Sequence, residues 1–257
     1  PTIMADLSAT MSTIQWVVLI YLTTVSSLLL TFGRLSDITG RKPVYIAGFT
    51  VFVIGSAACG MAPSPVYLIL ARSIQGVGAA MLMACSPALI ADTFPPRERG
   101  RALGMIGAVV AGGLTAGPAA GGLLIKYFSW RYIFFINIPI GILATAAAVA
   151  VMKSAPENSP KSNSEPSGGG WIGRMDISGG VLLICMLASL VLFLAKLHDF
   201  GLFSRFSSVC VTIFAVSLGL FIRTEKQTDS PLFDFNLLKI RLFILPVIGS
   251  AILFAVL

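Results

Sequence analysis

The chain has 257 residues, 56% of them hydrophobic and 11% charged, with a mean hydropathy of +0.90 and a net charge of +7. Soluble domains carry about 25% charged residues, so this composition excludes a soluble globular protein. The positive charge lies in short segments between long apolar runs and not in one basic patch, so it reports topology, and no nucleic-acid partner is expected.

Cutting the sequence at its charges leaves apolar runs at 15–32, 44–62, 66–90, 102–125, 132–152, 177–195, 205–222 and 242–257. A helix needs about 20 residues to cross about 30 Å of hydrocarbon. The runs are continuous and do not alternate with period two, which favours helices over barrel strands. The expected fold is therefore an all-α integral membrane bundle with seven full transmembrane helices and an eighth cut short by the C-terminus. Both ends look incomplete, since the chain begins with Pro1 and stops at Leu257 inside an apolar run.

Residues 1–14 read as a short polar stretch containing Asp6. Between the first two runs lies the charged string Gly33–Lys42, which must turn the chain at a membrane face. Gly33 is expected to let two helices approach closely. Asp37 is expected to cap the next helix and to pair with Arg41 or a neighbouring cation. Taking this turn as cytoplasmic places thirteen cations on that side: Arg34, Arg41, Lys42, Arg97, Arg99, Arg101, Lys153, Lys161, Arg174, Arg223, Lys226, Lys239 and Arg241. Only Lys126, Arg131, Lys196 and Arg205 fall on the other. This asymmetry sets the orientation, with 33–42, 91–101, 153–175 and 223–241 as cytoplasmic loops.

Apart from Arg205 at the first position of its run, Arg72 is the only charge inside any predicted run. A mid-membrane arginine costs about 2.5–3.5 kcal/mol on insertion scales and usually faces the bundle interior, though snorkelling outward is the alternative. Gln75 shares its face, and Gly76 and Ala80 form a small-residue row. Met81 and Met83 read as ordinary packing or as adaptable pocket surface. The 102–125 run carries Gly113, Gly117 and Gly121 every four residues, with Pro118 between them and Gly122 following; a bend is expected at Pro118. Trp16, Trp130 and Trp171 fall near run ends, where indole suits the headgroup level.

Cys59, Cys85, Cys185 and Cys210 lie in apolar runs without metal-ligand spacing and read as small buried hydrophobes. His198, the one histidine, falls in an expected outer loop. No cofactor, metal site or catalytic constellation is expected, and an enzyme is disfavoured.

Residues 153–175, rich in Pro, Gly and Ser, read as a flexible cytoplasmic linker. It closes a first bundle at 1–152. A hairpin at 176–222, a cytoplasmic loop at 223–241 and the start of a second bundle at 242–257 follow.

Several of these strings together resemble the major facilitator superfamily of transporters. Gly33, Asp37, Gly40, Arg41 and Lys42 match its loop between helices 2 and 3, which the resemblance makes a conformational latch. The string Arg72–Ala80 is similar to the fourth-helix signature of proton-coupled members, implying a coupling role for Arg72, Gln75 and Gly76. Gly113–Leu123 resembles the fifth-helix antiporter signature. Phe94–Ala102, with Arg97, Arg99 and Arg101, resembles loop 4–5, and Ser129–Gly141 the lead into helix 6. The 223–241 segment contains no glycine, so it lacks a second copy of the Gly33–Lys42 string. The 176–222 hairpin therefore reads as an inserted pair, an arrangement similar to the fourteen-helix drug:proton antiporter family.

The resemblance implies helices 2–6 in residues 1–152, with helix 1 and the C-terminal half absent. It implies a multi-pass protein of the plasma membrane, monomeric at full length, that exports drugs or other amphipathic or cationic small molecules. The proton gradient would be its energy source. An exporter of an endogenous metabolite, lipid or siderophore is the alternative. No predicted run contains Asp or Glu, so the resemblance implies that the acid that titrates during coupling lies outside these 257 residues, and the chain alone is not expected to transport.

Overall fold

The computed structural model describes residues 2–152, 177–200, 204–227 and 244–245. The expected linker, most of the 223–241 loop, Trp171 and nearly all of the last apolar run lie outside these residues. Among the described residues the elements are α1 (Thr2–Asp6), α2 (Met11–Thr39), α3 (Arg41–Gly60), α4 (Pro65–Thr93), α5 (Pro96–Tyr127), α6 (Tyr132–Phe135), α7 (Asn137–Val151), α8 (Ile177–Phe200) and α9 (Arg205–Gln227). Six spans are long and apolar enough to cross a membrane: α2, α3, α4, α5, the α6–α7 pair, and α9 over Arg205–Glu225. Helix α8 has 24 residues, apolar over Ser178–Leu194.

The helices outrun the apolar stretches because charge ends a hydrophobic run without breaking a helix. At the N-terminal side, Thr10 in extended backbone accepts the Thr13 N–H at 3.3 Å and starts α2 four residues before the predicted run. At the other end the whole string Gly33–Lys42 is helical except Gly40, whose φ of +94° and ψ of +149° is a region open in practice only to glycine. The expected loop is thus a one-residue break. Asp37 sits inside α2 and does not cap α3, whose cap position is Gly40 with no side-chain bond.

The α4–α5 connection is similarly short. Helix α4 runs to Thr93, and Pro96 at the first position of α5 supplies the fixed φ that favours a helix start. Arg97, Arg99 and Arg101 therefore lie in the first turns of α5 and not in a loop. On the opposite face Ser64 accepts the Tyr67 N–H at 3.3 Å and starts α4 just before Pro65. The predicted 132–152 helix is divided at Ile136. Pro139 has no N–H for the Phe135 carbonyl, and the Asn137 side chain donates to the Ile133 carbonyl at 3.3 Å. His198 falls in the last turns of α8 and not in a loop.

Helix α4 lies between α2 and α3. Its contact with α3 is backbone against backbone. A Cβ on Gly55 would come within 2.6 Å of the Gln75 backbone, and one on Gly78 within 2.4 Å of the Phe52 nitrogen. On the α2 side a Cβ on Gly76 would meet Thr24 at 3.0 Å, and Ala80 is fully buried. The expected small-residue row is therefore used. Gly33 is not: a Cβ there would meet nothing within 4 Å.

The apolar core gathers Leu7, Val17, Cys59, Ala62, Leu68, Ala71, Trp130 and Phe134 at the end of the bundle where α4 begins. Trp130 is 1% exposed, so it is a core residue and not an interfacial anchor. Cys59, Cys85 and Cys210 are buried as expected, whereas Cys185 is exposed. Helix α8 packs on α9 and along α2, where a Cβ on Gly180 would lie 3.2 Å from the Thr31 hydroxyl.

Candidate functional site

Three groups of polar side chains occupy different levels of the bundle. The first is at the end where α2 and α4 finish and α3 begins. Arg41 pairs with Asp37 of α2 at 3.6 Å, with Asp92 of α4, and donates to the Ala88 carbonyl. One guanidinium thus joins three helices, a task suited to its planar fork of donors. Lys42, next in sequence, donates to the carbonyls of Val149, at 3.5 Å, and Met152 at the end of α7. A cation at a helix C-terminus satisfies free carbonyls and the helix dipole together. The expected Asp37–Arg41 pairing is present. Asp92 was not singled out from the sequence, although cation and carboxylate both fall at the same predicted membrane face.

The second group lies about 30 Å away along α4, by the helical rise of 1.5 Å per residue. Arg72 Nε donates to the Val17 carbonyl at 3.1 Å and Nη1 to Gln75 Oε1 at 2.6 Å. Its guanidinium stands 4.0 Å from the Tyr21 ring centroid and 5.9 Å from that of Phe134. Gln75, 2% exposed, donates through Nε2 to Ser56 Oγ at 2.7 Å, and the Cys59 thiol approaches its Oε1 at 3.9 Å. Arg72 therefore faces the bundle and does not snorkel. Its charge is shared among a carbonyl, an amide oxygen and two aromatic faces, the groups that make a partly buried cation tolerable. Among the described residues, no carboxylate pairs with it.

The third group closes the other membrane face. Asp6 Oδ2 accepts from Arg131 Nη1 at 2.6 Å and from Trp130 Nε1 at 3.0 Å. Arg131 also donates to the Ala62 carbonyl at 3.3 Å and stacks 4.4 Å from the Trp130 ring centroid. The carboxylate oxygen therefore ties the segment before α2 to the turn before α6, and Arg131 extends the tie to the turn before α4. Spacing gave no signal for this clasp, because 124 residues separate Asp6 and Trp130.

The Arg131 guanidinium, followed by the Trp130 N–H, holds the Asp6 carboxyl below its ordinary value of 3.8. A lowered folded-state pKa contributes stability that is present above 3.8 and lost as pH falls below it through the folded value. Thermal unfolding measured against pH is expected to show this acid-side loss in the wild type. Asp6→Asn, lacking the titrating group, should unfold at lower temperature near neutrality and show a flatter acid limb.

The glycine string of α5 stands apart from these groups. Helix α5 has no buried residue, and a Cβ at Gly113, Gly117, Gly121 or Gly122 would meet nothing within 4 Å. Pro118 lies inside α5 without interrupting the helix. Arg97 and Arg101 are exposed, as is Arg99, which donates to the Phe94 carbonyl at 3.1 Å. Met81 packs toward Gly48 of α3, whereas Met83 is exposed.

Known proteins are similar to this chain in sequence. The riboflavin transporter RibZ of Clostridioides difficile (strain 630) is 46% identical over 144 residues, covering 56% of this chain and 32% of its own length. Multidrug resistance protein Stp of Mycobacterium tuberculosis (strain ATCC 25618 / H37Rv) is 32% identical over 227 residues, or 88% of this chain and 40% of Stp. Multidrug resistance protein 3 of Bacillus subtilis (strain 168) is 32% identical over 244 residues, or 94% of this chain and 45% of the relative. The chain thus spans less than half the length of each of these curated relatives. The family model for the Major Facilitator Superfamily matches residues 1–256. With six membrane-length helices among the described residues and that family match, the chain belongs to the Major Facilitator Superfamily, a family of multi-pass membrane transporters and not of enzymes.

Proposed function

We propose that the protein to which this chain belongs is a secondary transporter. It exports amphipathic or cationic small molecules in exchange for protons by alternating access. The observation that carries the reading is Arg72, a charge inside an apolar span, turned into the bundle and fixed by the Val17 carbonyl, Gln75 and Tyr21. An arginine so placed biases the protonation of a nearby acid through its field, and the acid itself lies outside the predicted spans.

In this reading Asp37, Arg41 and Asp92 form the latch at the cytoplasmic face, and the α5 string supports antiport. The linker at 153–175 separates the bundle from an inserted α8–α9 pair in a fourteen-helix, monomeric protein of the plasma membrane. The multidrug names of two relatives support a drug-like substrate. A second reading, transport of an endogenous metabolite, is supported by the riboflavin transporter at higher identity over a shorter stretch.

Efflux from vesicles carrying the full-length protein tests the proposal. Export of a lipophilic cation is expected to follow an imposed proton gradient and stop when a protonophore collapses it. Export that continues unchanged after collapse overturns proton coupling. Gradient-driven movement of riboflavin but of no lipophilic cation selects the second reading.

A further inference from the structure

Helices α3 and α7 enclose a groove of about 360 Å³ lined by Thr50, Val53, Ile54, Ile142, Thr145 and Ala146. The two hydroxyls are already spent on their own helices: Thr50 donates to the Ile46 carbonyl at 3.0 Å and Thr145 to the Gly141 carbonyl at 2.7 Å. The groove therefore presents hydrocarbon. It opens outward, because Ile54 and Ile142 remain 58% and 57% exposed.

The same two helices carry a cation above the groove. Lys42 precedes Val53 by eleven residues, three helical turns, so both lie on one line of α3. Val149 and Met152, whose carbonyls Lys42 reaches, follow Thr145 by four and seven residues on one face of α7. Thr50 and Ile54 are eight and twelve residues beyond Lys42, about 12 and 18 Å deeper at 1.5 Å per residue. That depth matches one leaflet of a hydrocarbon core about 30 Å thick. Among the described residues no carboxylate pairs with Lys42. Its two carbonyl contacts leave a third ammonium donor for another acceptor.

From this juxtaposition we infer that the α3–α7 groove is a binding site for one anionic phospholipid, with an acyl chain along Val53, Ile54, Ile142 and Ala146 and the phosphate at Lys42. A basic position between helices at a membrane face is the chemistry that selects anionic headgroups. A second copy of the chain fits less well, because a two-fold contact through this groove would bring two Lys42 ammoniums together in low dielectric. The site is independent of what is transported.

Native mass spectrometry of the full-length protein, released from phosphatidylcholine discs with and without phosphatidylglycerol, tests this. Wild type is expected to retain one phosphatidylglycerol in preference to phosphatidylcholine, by about fivefold for one surface cation. Lys42→Gln should abolish the preference, and Ala146→Phe, which fills the groove, should abolish retention of the tightly held lipid. Arg97→Gln, which removes an exposed cation of the same face on α5, should leave both intact. Equal retention of the two lipids by wild type overturns the site. So does a preference that survives both groove variants, or a retained second copy in place of lipid.

Discussion

Replacing Arg72 by alanine is expected to abolish proton-driven transport while leaving exchange of substrate across the membrane measurable. The guanidinium has no substitute in its surroundings. Without it, the Val17 carbonyl keeps its helical partner, but Gln75 Oε1, on a side chain 2% exposed, is left with the weak thiol contact from Cys59 at 3.9 Å. Hydrogen bonds to charged groups contribute about 1.5–3 kcal/mol each, so the variant should also unfold at lower temperature. Arg72→Lys separates charge from geometry. An ammonium keeps the positive charge but cannot hold Val17 and Gln75 through one planar fork while stacking over Tyr21. If the field of the cation sets coupling, lysine should restore most proton-driven transport and little of the lost stability. If the fork sets it, lysine should behave as alanine does. Proton-driven efflux, substrate counterflow and thermal unfolding of the three proteins distinguish these outcomes. Full proton-driven activity in Arg72→Ala would show that the arginine only packs the bundle.

Arg72 was legible in the sequence because a charge inside an apolar run is costly wherever it sits, and Gln75 followed by helical spacing. Their partners were not. Val17 contributes a backbone carbonyl, and Tyr21 and Ser56 are ordinary residues of apolar helices. Only the register between helices brings them to Arg72, and helix spacing carries no information about that register. The cytoplasmic string shows the converse. Its charges and glycines marked the turn correctly, but they suggested a loop where only Gly40 leaves the helix. A charged residue is as compatible with helical backbone as an apolar one, so the helix ended where the backbone required φ above zero and not where hydropathy fell. The clasp at Asp6 and the contact of Lys42 with α7 were hidden for a third reason. Both join segments more than a hundred residues apart, and each depends on the order in which helices pack.

The glycines offer the sharpest contrast between pattern and packing, and the second large effect. Gly113, Gly117 and Gly121 form the most regular small-residue row in the chain, yet in the structure they face open space. Gly78 belongs to no such row, yet a Cβ there would lie 2.4 Å from the Phe52 nitrogen and 2.8 Å from the Gly48 carbonyl oxygen. Both obstacles are backbone, so no side-chain rotation relieves them, and α3 must move away from α4. Close backbone approach is the principal source of helix association in lipid, where no hydrophobic force holds helices together. Gly78→Ala is therefore expected to destabilise the bundle by about 3 kcal/mol, the upper end of the overpacking range. Separation of α3 from α4 also pulls Ser56 from Gln75, so transport should fall with stability. Gly113→Ala meets no atom and gains helix propensity of about 0.8–1.0 kcal/mol, so thermal unfolding of the bundle should be unchanged or slightly delayed. Any loss of transport in that variant then comes from a step in the transport cycle and not from misfolding. Unfolding temperatures and proton-driven efflux, measured on both variants of the full-length protein, resolve the two effects. A Gly113→Ala bundle as unstable as Gly78→Ala would mean that α5 is packed along its glycine face. Equal transport by Gly113→Ala and wild type would remove the α5 string from the mechanism and leave proton coupling resting on Arg72 alone.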